Sequence, residues 1–382
     1  MSFPRILALF SNPYRDGSTI STLETIKGLK EWGAEILVVV REEGFLTEEL
    51  RKLKIKYIIS SLPFWQLPPI KNCKDRVKFF PRIVKIIYRE NDALRRLNKI
   101  IKDWRPSIIY TNVSVIDIGY KAARKSHLPH IWHIREYGDL DFDIKPMTGK
   151  KRLHEKLMQS YCVCITKDLK KYHHLGERAE VIYNPIVQDK GTKRLQKENV
   201  IIFVGRITEN KGATEVIESF IAFSSTNNEY ELVLLGRCND NDYLNYLKKL
   251  VTENGLENRI HFKGQVENVS EWMQKAKAII VASKAEGFGR ITAEAMLNRC
   301  LVIGKDSAGT KEQFDNGREL WNKEIGIRYT TQKELVSGLH KIADMSDSEY
   351  KDILDHAYLT VEQLYNQQNH LNKIKDLIKS LK

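Results

Sequence analysis

Two short stretches carry residues whose types and spacing could do chemistry. The first is Glu286-Gly-Phe-Gly-Arg-Ile-Thr-Ala-Glu294. Gly287 and Gly289 permit unusual backbone angles and the close approach of a ligand. A helix opening near Ile291 would offer unpaired N–H groups and a partial positive charge to an anion. Glu286 lies in the loop and Glu294 about one turn into the helix, where side chains lean back toward the N-terminus. Both carboxylates can face one small volume, and a carboxylate is a good acceptor for a pair of sugar hydroxyls. The second stretch is Val204-Gly-Arg-Ile-Thr-Glu-Asn-Lys-Gly212. Arg206 could grip a diphosphate through its fork and Lys211 as a point charge, with Gly205 and Gly212 flanking them. Taken singly, the first stretch also reads as a capped helix with two solvated glutamates. The second reads equally as a solvated turn, and its spacing is not that of a P-loop.

Strands and helices must position these residues. In the first half, apolar runs at 5–10, 35–40, 57–60, 107–110, 129–133, 162–165 and 180–183 read as strands, with helices at 20–32 and 115–126. A polar stretch at 188–199 reads as a linker. The pattern then restarts, with strands at 200–204, 230–235, 260–262, 278–281 and 300–303. Helices at 214–224, 243–253, 269–276 and 291–298 alternate with them, and 346–382 reads as two more. Such alternation predicts βαβ units and parallel sheets covered on both faces. The expected class is α/β, with two doubly wound Rossmann-like domains and ligands bound at the carboxyl ends of the strands.

Composition narrows the partners. The chain has 382 residues, enough for two or three domains, with 42% hydrophobic and 29% charged residues as in ordinary globular proteins. No apolar run approaches a membrane span, and the start lacks the pattern of a signal peptide. The five cysteines at 73, 162, 164, 238 and 300 form no C-x-x-C pair. They are expected to be free thiols in a reducing cytosol, with Cys162, Cys164 and Cys300 structural. His173 and His174 read as a solvated helix end. The formal charge of +13 is uneven: residues 1–190 hold 35 Lys and Arg against 22 Asp and Glu, and residues 191–382 hold 27 of each. One half thus suits an anionic partner.

Together the two stretches resemble the retaining nucleotide-sugar glycosyltransferases of the GT-B fold, glycosyltransferase family 4. That family carries a G-R-x(n)-K-G segment and an E-x7-E segment, here Gly205-Arg206 with Lys211-Gly212 and Glu286 with Glu294. Asn184-Pro185, Leu235-Gly236, Phe262-Lys-Gly264, Ala282-Ser283, Glu294-Ala-Met296 and Ser307-Ala-Gly-Thr-Lys-Glu312 follow in the family's order. The resemblance implies an acceptor-binding domain at 1–183, a donor-binding domain at 184–360, and a last helix at 361–382 that returns to the first domain, the two domains facing each other across a cleft. It implies Arg206 and Lys211 on the donor diphosphate, Glu286 by the transferred sugar and Glu294 on the ribose. Backbone groups of Gly287, Phe288, Gly289, Ile291 and Thr292 would hold phosphate and sugar oxygens, Gly264, Gln265 and Val266 would border the base, and the loop at 307–310 would cover part of the donor.

In the first half the family's histidine corresponds to His133, by the donor sugar near the anomeric carbon, with Arg135 and Glu136 as weaker acceptor contacts. The family's first Gly-Gly loop is reduced here to Gly17, whose backbone could approach the diphosphate or the acceptor. Glu286, His133, Arg206 and Lys211 form the expected catalytic set. Transfer is expected without a metal or other cofactor, the cations and the helix N-terminus stabilising the leaving diphosphate. Asp139-Leu-Asp141-Phe-Asp143 has a metal-like spacing but no counterpart in the family. Both a covalent intermediate and a same-face displacement remain open.

The implied activity is transfer of a sugar, from a uridine diphosphate donor, to a carbohydrate or lipid-linked glycan in cell-surface polysaccharide synthesis. The alternatives are a sugar-nucleotide epimerase and a non-catalytic partner of another transferase. Residues 71–105 hold 12 Lys and Arg against 4 Asp and Glu, interleaved with Phe79, Phe80, Ile83, Ile86, Ile87 and Tyr88. A cationic helix with apolar and aromatic residues suits an anionic membrane surface, or else an ordinary helix covering the sheet. The expected place is the cytoplasm, at the inner face of the membrane. No nucleic-acid-binding pattern occurs.

Overall fold

The structure is a computed structural model and describes residues 3–68, 70, 72–187 and 195–381. The chain divides into two compact units, Met1–Pro185 with Gln367–Lys382, and Ile186–Asn366. The first contains β1 (Arg5–Phe10), α1 (Gly17–Glu31), β2 (Glu35–Val40), α2 (Phe45–Lys52), β3 (Lys56–Ile59), α3 (Cys73–Val77), α4 (Phe79–Trp104) and β4 (Ile108–Asn112). It continues with α5 (Ile118–Ser126), β5 (His130–Ile134), α6 (Asp139–Phe142), α7 (Gly149–Leu157), β6 (Tyr161–Cys164), α8 (Lys167–Tyr172) and β7 (Ala179–Val181). The second contains β8 (Glu198–Val204), α9 (Ala213–Ser224), β9 (Glu231–Leu235), α10 (Asn241–Glu253), β10 (Ile260–Gly264), α11 (Val269–Lys275) and β11 (Ala276–Val281). Then come α12 (Arg290–Leu297), β12 (Leu301–Lys305), α13 (Ala308–Trp321), β13 (Ile327–Tyr329), α14 (Gln332–Asp344) and α15 (Asp347–Leu364), and α16 (Gln367–Ser380) returns to the first unit.

Among the described residues the first unit holds a seven-stranded parallel sheet in the order β3-β2-β1-β4-β5-β6-β7. Side chains alternate across a strand, so one apolar run serves two cores. Ile6, Ala8, Phe10, Ile108 and Ile131 pack with Leu23 and Ile26 of α1 and Ile374 and Ile378 of α16. Leu7, Leu9, Val39 and Ile109 pack on the other side with Ala93, Leu97 and Ile101 of α4 and Ile118 and Ala122 of α5. Gly28 lets α1 approach α16: a Cβ there would fall 2.2 Å from Leu371 Cδ1. Cys162, Cys164 and Cys300 are buried.

The second unit holds a parallel sheet in the order β10-β9-β8-β11-β12-β13. Ile201, Phe203, Leu232, Leu234, Ile280 and Ile303 pack with Val216, Phe220 and Phe223 of α9 and Leu335 and Leu339 of α14. In both sheets the strand order reverses beside the first strand, the switch point where open α/β sheets bind ligands.

Several elements differ from the sequence reading. Glu198 and Asn199 belong to β8, not to a linker, and residues 188–194 lie outside the described residues. Helix α5 starts at Ile118 rather than 115, and in the turn before it Val113 takes a left-handed φ of 78°. For a β-branched residue that angle is strained. It is held by Val113 N–H donating to the His133 carbonyl at 3.0 Å and by Trp132 Nε1 donating to the Val113 carbonyl at 2.9 Å. Helices α2, α13 and α14 and strand β13 lie outside the elements named in the sequence reading. Helix α15 runs past residue 361 and breaks only after Leu364.

Candidate active site

The carboxyl ends of β8, β9 and β10 are laid together through glycine. Gly205 N–H donates to the Leu235 carbonyl at 2.9 Å, and Gly236 N–H donates to the Gly264 carbonyl at 2.8 Å. A Cβ on Gly236 would lie 1.8 Å from the Gly205 oxygen, so only glycine lets these two turns meet. Beyond Gly205 and Gly264, by contrast, nothing lies within 4 Å of a built Cβ. The rim is bare backbone with open space before it, as a flat ligand requires. Gln265 is exposed and Val266 half-buried just past β10.

After β8 the chain passes the exposed Arg206 and makes a short turn over Glu209–Lys211. Gly212 closes it with a φ of 78°, and a Cβ there would lie 2.5 Å from that of Ala282 just past β11. That contact carries Lys211 to the loop after β11, where its ammonium pairs with the Glu286 carboxylate. The two side chains are 26% and 29% exposed, so the pair remains within reach of a ligand.

The loop from Glu286 to Gly289 is fastened from behind by α13. Gln313 Nε2 donates to the Phe288 carbonyl at 2.5 Å and to that of Gly289 at 3.0 Å. Gly309 N–H donates to the Glu286 carbonyl at 2.9 Å, and a Cβ on Gly309 would collide with Phe288 at 2.4 Å. Phe288 is buried with its ring 5.4 Å from that of Tyr365. Gly289 takes a φ of 74° and caps α12. The 307–310 segment and Gln313 thus act as a brace for this loop. Gln313 escaped the sequence reading, since nothing in the spacing of α13 marks a residue that bonds 24 positions upstream.

Two expected donor groups are already engaged. Thr292 N–H donates to the Gly289 carbonyl at 3.0 Å, and its hydroxyl lies 3.1 Å from that of Thr310. Thr292 therefore offers its backbone N–H to the first helical turn and not to a ligand. Ile291 is half-buried in the same turn. Glu294 accepts from Arg290 Nε at 2.6 Å, so its carboxylate carries a cation from its own helix.

In the first unit, Tyr110, Asn112, His133 and Arg135 stand on one face at the carboxyl ends of β4 and β5, in parallel register with Asn112 opposite His133. His133 is fully buried. Its Nδ1 meets the hydroxyl of Tyr110, and Arg135 Nη2 lies 3.4 Å away. Its Nε2 is buried without a hydrogen-bond partner among the described residues. Burial, with Arg135 and His370 beside it, holds the imidazole pKa well below the ordinary value, so the ring is neutral.

Arg135 and Glu136 differ from the expected acceptor contacts. Both are buried. The Arg135 guanidinium donates to Asn112 Oδ1 and Asn184 Oδ1, each at 2.5 Å, and Glu136 accepts from the Ser114 N–H and hydroxyl. Their side chains are used up inside the unit, because a buried charge must find partners there. Burial pushes the Glu136 carboxyl up to about 7, with Ser114 opposing and Asp141 reinforcing the shift. At Gly17, Asp16 caps α1 by accepting from Thr19 N–H at 2.8 Å, so a carboxylate already occupies that helix end. His173 is half-buried and its Nε2 lies 3.0 Å from the Glu136 carbonyl, so only His174 is solvated. Two of the three aspartates from 139 to 143 are spent locally, Asp141 accepting from Tyr137 and Gly138 N–H and Asp139 pairing with Lys150, and Asp143 is exposed. Among the described residues no cluster of His, Cys, Asp and Glu could hold a metal ion.

Residues 187–357 match the model of the Glycosyl transferases group 1 family. The match lies within the second unit and covers a little under half of the chain. Its relatives include the O-antigen chain mannosyltransferase RfbU of Salmonella typhimurium, 30% identical over 202 residues that cover 52% of this chain and 53% of RfbU. The lipopolysaccharide core biosynthesis mannosyltransferase LpcC of Rhizobium leguminosarum bv. viciae is 29% identical over 115 residues, 30% of this chain and 33% of LpcC. The chain thus spans between a third and about half the length of these relatives. Among solved structures, a glycosyltransferase from Rickettsia africae superposes with a TM-score of 0.79 at 18% identity, covering 100% of this chain and 99% of that one. HepE of Anabaena, in complex with UDP, gives 0.77 at 17% identity, covering 98% and 100%. These likenesses establish the GT-B fold of two Rossmann-like sheets.

Proposed function

We propose that this chain transfers a sugar, with retention, from a nucleoside diphosphate sugar to a carbohydrate or lipid-linked glycan of the cell surface. The observation that carries the reading is the meeting of Lys211 with Glu286 beside the glycine-bound rim of β8, β9 and β10. Without donor, Glu286 neutralises the Lys211 ammonium. An incoming diphosphate carries more negative charge and competes for that ammonium, joined by Arg206. Glu286 is then released to accept from the hydroxyls of the transferred sugar, so donor binding itself arms the carboxylate. As the glycosidic bond breaks, Lys211, Arg206 and the α12 N-terminus stabilise the charge on the leaving diphosphate. Glu294 holds the ribose, with Arg290 fixing its rotamer.

Structural neighbours holding UDP and UDP-glucose favour a uridine donor, and the mannosyltransferase relatives favour mannose as the sugar. A thermal-shift and turnover panel of UDP-glucose, UDP-N-acetylglucosamine and GDP-mannose decides between them. A ligand at 100 times its Kd stabilises by about 2.7 kcal/mol. Loss of all turnover in Glu286→Gln supports the reading. Turnover without an acceptor that converts one nucleotide sugar into another indicates the epimerase, and no binding of any nucleotide indicates the non-catalytic partner.

The acceptor reading is supported by α3 and α4. Glu90, Ala93, Leu97 and Ile101 form the buried stripe of α4, yet none of residues 79–89 is buried. Phe80, Val84 and Tyr88 are 75%, 66% and 73% exposed, and Lys78, Lys85 and Arg89 lie among them. Residue 71 lies outside the described residues. No described helix is long and apolar enough to cross a membrane. An exposed apolar stripe beside a basic face fits an anionic membrane surface, which attracts each nearby cation by about 1 kcal/mol. It supports a site of action at the inner face of the cell membrane with a lipid-linked acceptor. Flotation with phosphatidylglycerol vesicles at low salt tests it; recovery of the protein only in the vesicle-free fraction removes the membrane claim.

A further inference from the structure

The partners of His133 restrict its protonation more than its burial does. Nδ1 faces the Tyr110 hydroxyl and the Arg135 guanidinium. Arg135 also acts electrostatically on the Tyr110 hydroxyl. A guanidinium can only donate. With Nδ1 already accepting from the Arg135 guanidinium, the Tyr110 hydroxyl is left to donate its proton to the same nitrogen. A proton on Nδ1 would confront two donors with a third. Nδ1 must therefore present its lone pair, and a neutral imidazole then carries its single proton on Nε2. Nε2 is the buried atom that lacks a partner among the described residues.

We infer that Tyr110 and Arg135 are positioning residues that lock His133 in the Nε2–H tautomer, leaving it a fixed hydrogen-bond donor to an oxygen of the bound substrate and unable to act as a general base. The inference rests on the reading of His133 as a substrate contact. A donor of this kind, set in advance toward an acceptor that only the ligand brings, needs no reorganisation when the substrate arrives. The reacting proton of the acceptor hydroxyl must then leave by another route, since the imidazole lone pair is already occupied.

The ionisable groups around the ring agree. Tyr110 comes from β4 and Arg135 follows β5. On the α16 side the His370 ring stacks 6.4 Å away. His370 Nδ1 lies 2.7 Å from the Tyr183 carbonyl, which makes it the donor, and its Nε2 lies 2.8 Å from the Thr25 hydroxyl of α1. It is neutral as well and offers His133 no proton. Burial lowers the Arg135 pKa, and Tyr110, Glu136 and Asp16, at the start of α1, oppose that shift.

Nitrogen-15 correlation spectra of the full chain with labelled histidine, His133 being assigned by its loss in His133→Gln, test this without substrate. The expected result is an aprotic Nδ1 and a protonated Nε2, unchanged between about pH 6 and 8. An Nδ1–H tautomer, or a ring that titrates in that range, overturns the inference even if Tyr110→Phe fails to fold. In folded Tyr110→Phe the signals should move toward a mixture of tautomers. Donor kcat/KM should fall about tenfold, the effect of one net hydrogen bond. In a His133→Gln background, where the amide keeps a donor in place of Nε2–H and cannot change tautomer, Tyr110→Phe should cost nothing further. An unchanged tautomer and rate in Tyr110→Phe, or an equal loss in both backgrounds, refutes the role of Tyr110. A correct tautomer in a protein that turns over no nucleotide sugar refutes the transferase reading instead.

Discussion

Replacing Gly236 by alanine perturbs the candidate donor site through a single methyl group. Its Cβ would lie 1.8 Å from the Gly205 oxygen, where ordinary contact begins at 3.4 Å, so the turns after β8 and β9 must part by more than an ångström. Three costs combine. Overpacking against rigid backbone costs about 1–3 kcal/mol, the left-handed φ of 153° adds roughly 1 kcal/mol for a residue with a side chain, and weakening the Gly205–Leu235 hydrogen bond adds about 1 kcal/mol. A total on the order of 3–5 kcal/mol lies below the stability of a typical domain, about 5–15 kcal/mol. The variant should therefore fold, with a midpoint lowered by roughly 6–20 °C at 2–4 °C per kcal/mol. Because Gly205 leads directly into Arg206, nucleoside diphosphate binding should weaken by about 100-fold or more, on the order of two charge-assisted hydrogen bonds. Calorimetric unfolding measures the first effect and titration with UDP or GDP the second. Gly255→Ala is the control: its φ is 65° but nothing lies within 4 Å of the new Cβ, so it should lose a few degrees and no affinity. If Gly236→Ala matched that control in both measurements, the close approach of the two turns would not be what shapes the site.

Lys211→Met should weaken diphosphate binding about 10- to 100-fold, measured by calorimetric titration, whereas Glu286→Gln should abolish turnover and leave nucleotide binding intact or tighter, because the ammonium loses its competing partner. Stability should depend on pH through Glu136. The folded chain keeps its proton up to about pH 7 while the unfolded chain releases it near 4.5, so the native state binds more protons in that window and stability falls as pH rises through it. Glu136→Gln keeps an oxygen for the Ser114 donors and should flatten that slope, leaving the share owed to Glu90, which burial also raises to about 7; parallel melting curves at pH 5.5 and 8 check this. Phe80→Ser with Val84→Ser should leave the melting point unchanged, since both side chains are exposed, while vesicle binding drops about tenfold or more. Arg135→Lys should destabilise the first unit by about 3 kcal/mol or more, because an ammonium cannot reach Asn112, Asn184 and His133 together from one buried position.

The alternating fold was legible because its signals are local. Runs such as Ile-Leu-Val-Val-Val at 36–40 exceed what a half-solvated strand needs and mark a sheet buried on both faces. Glycines at the loop after β11 likewise declared a close backbone approach before any fold was known. Helix α13 was not legible, since it buries Gly309, Thr310, Gln313 and Asn316, and a polar face turned inward leaves no hydrophobic period to detect. The burial of Arg135 and Glu136 was illegible for the same reason: two adjacent charges read as surface until their partners Asn112, Asn184 and Ser114 arrive from distant strands.

Residue types and short spacings alone determined which groups exist to do chemistry here: two carboxylates one helical turn apart, two cations after a strand, and glycines where backbone must be bare. Which of them meet was decided only by the tertiary structure. Lys211 reaches Glu286 across 75 residues because Gly212 packs on Ala282, and His133 owes its orphaned nitrogen to a tyrosine on the neighbouring strand. Hydrogen bonds and ion pairs act over a few ångströms, and distances of that size between remote segments are properties of packed sheets and not of the order of residues along a chain.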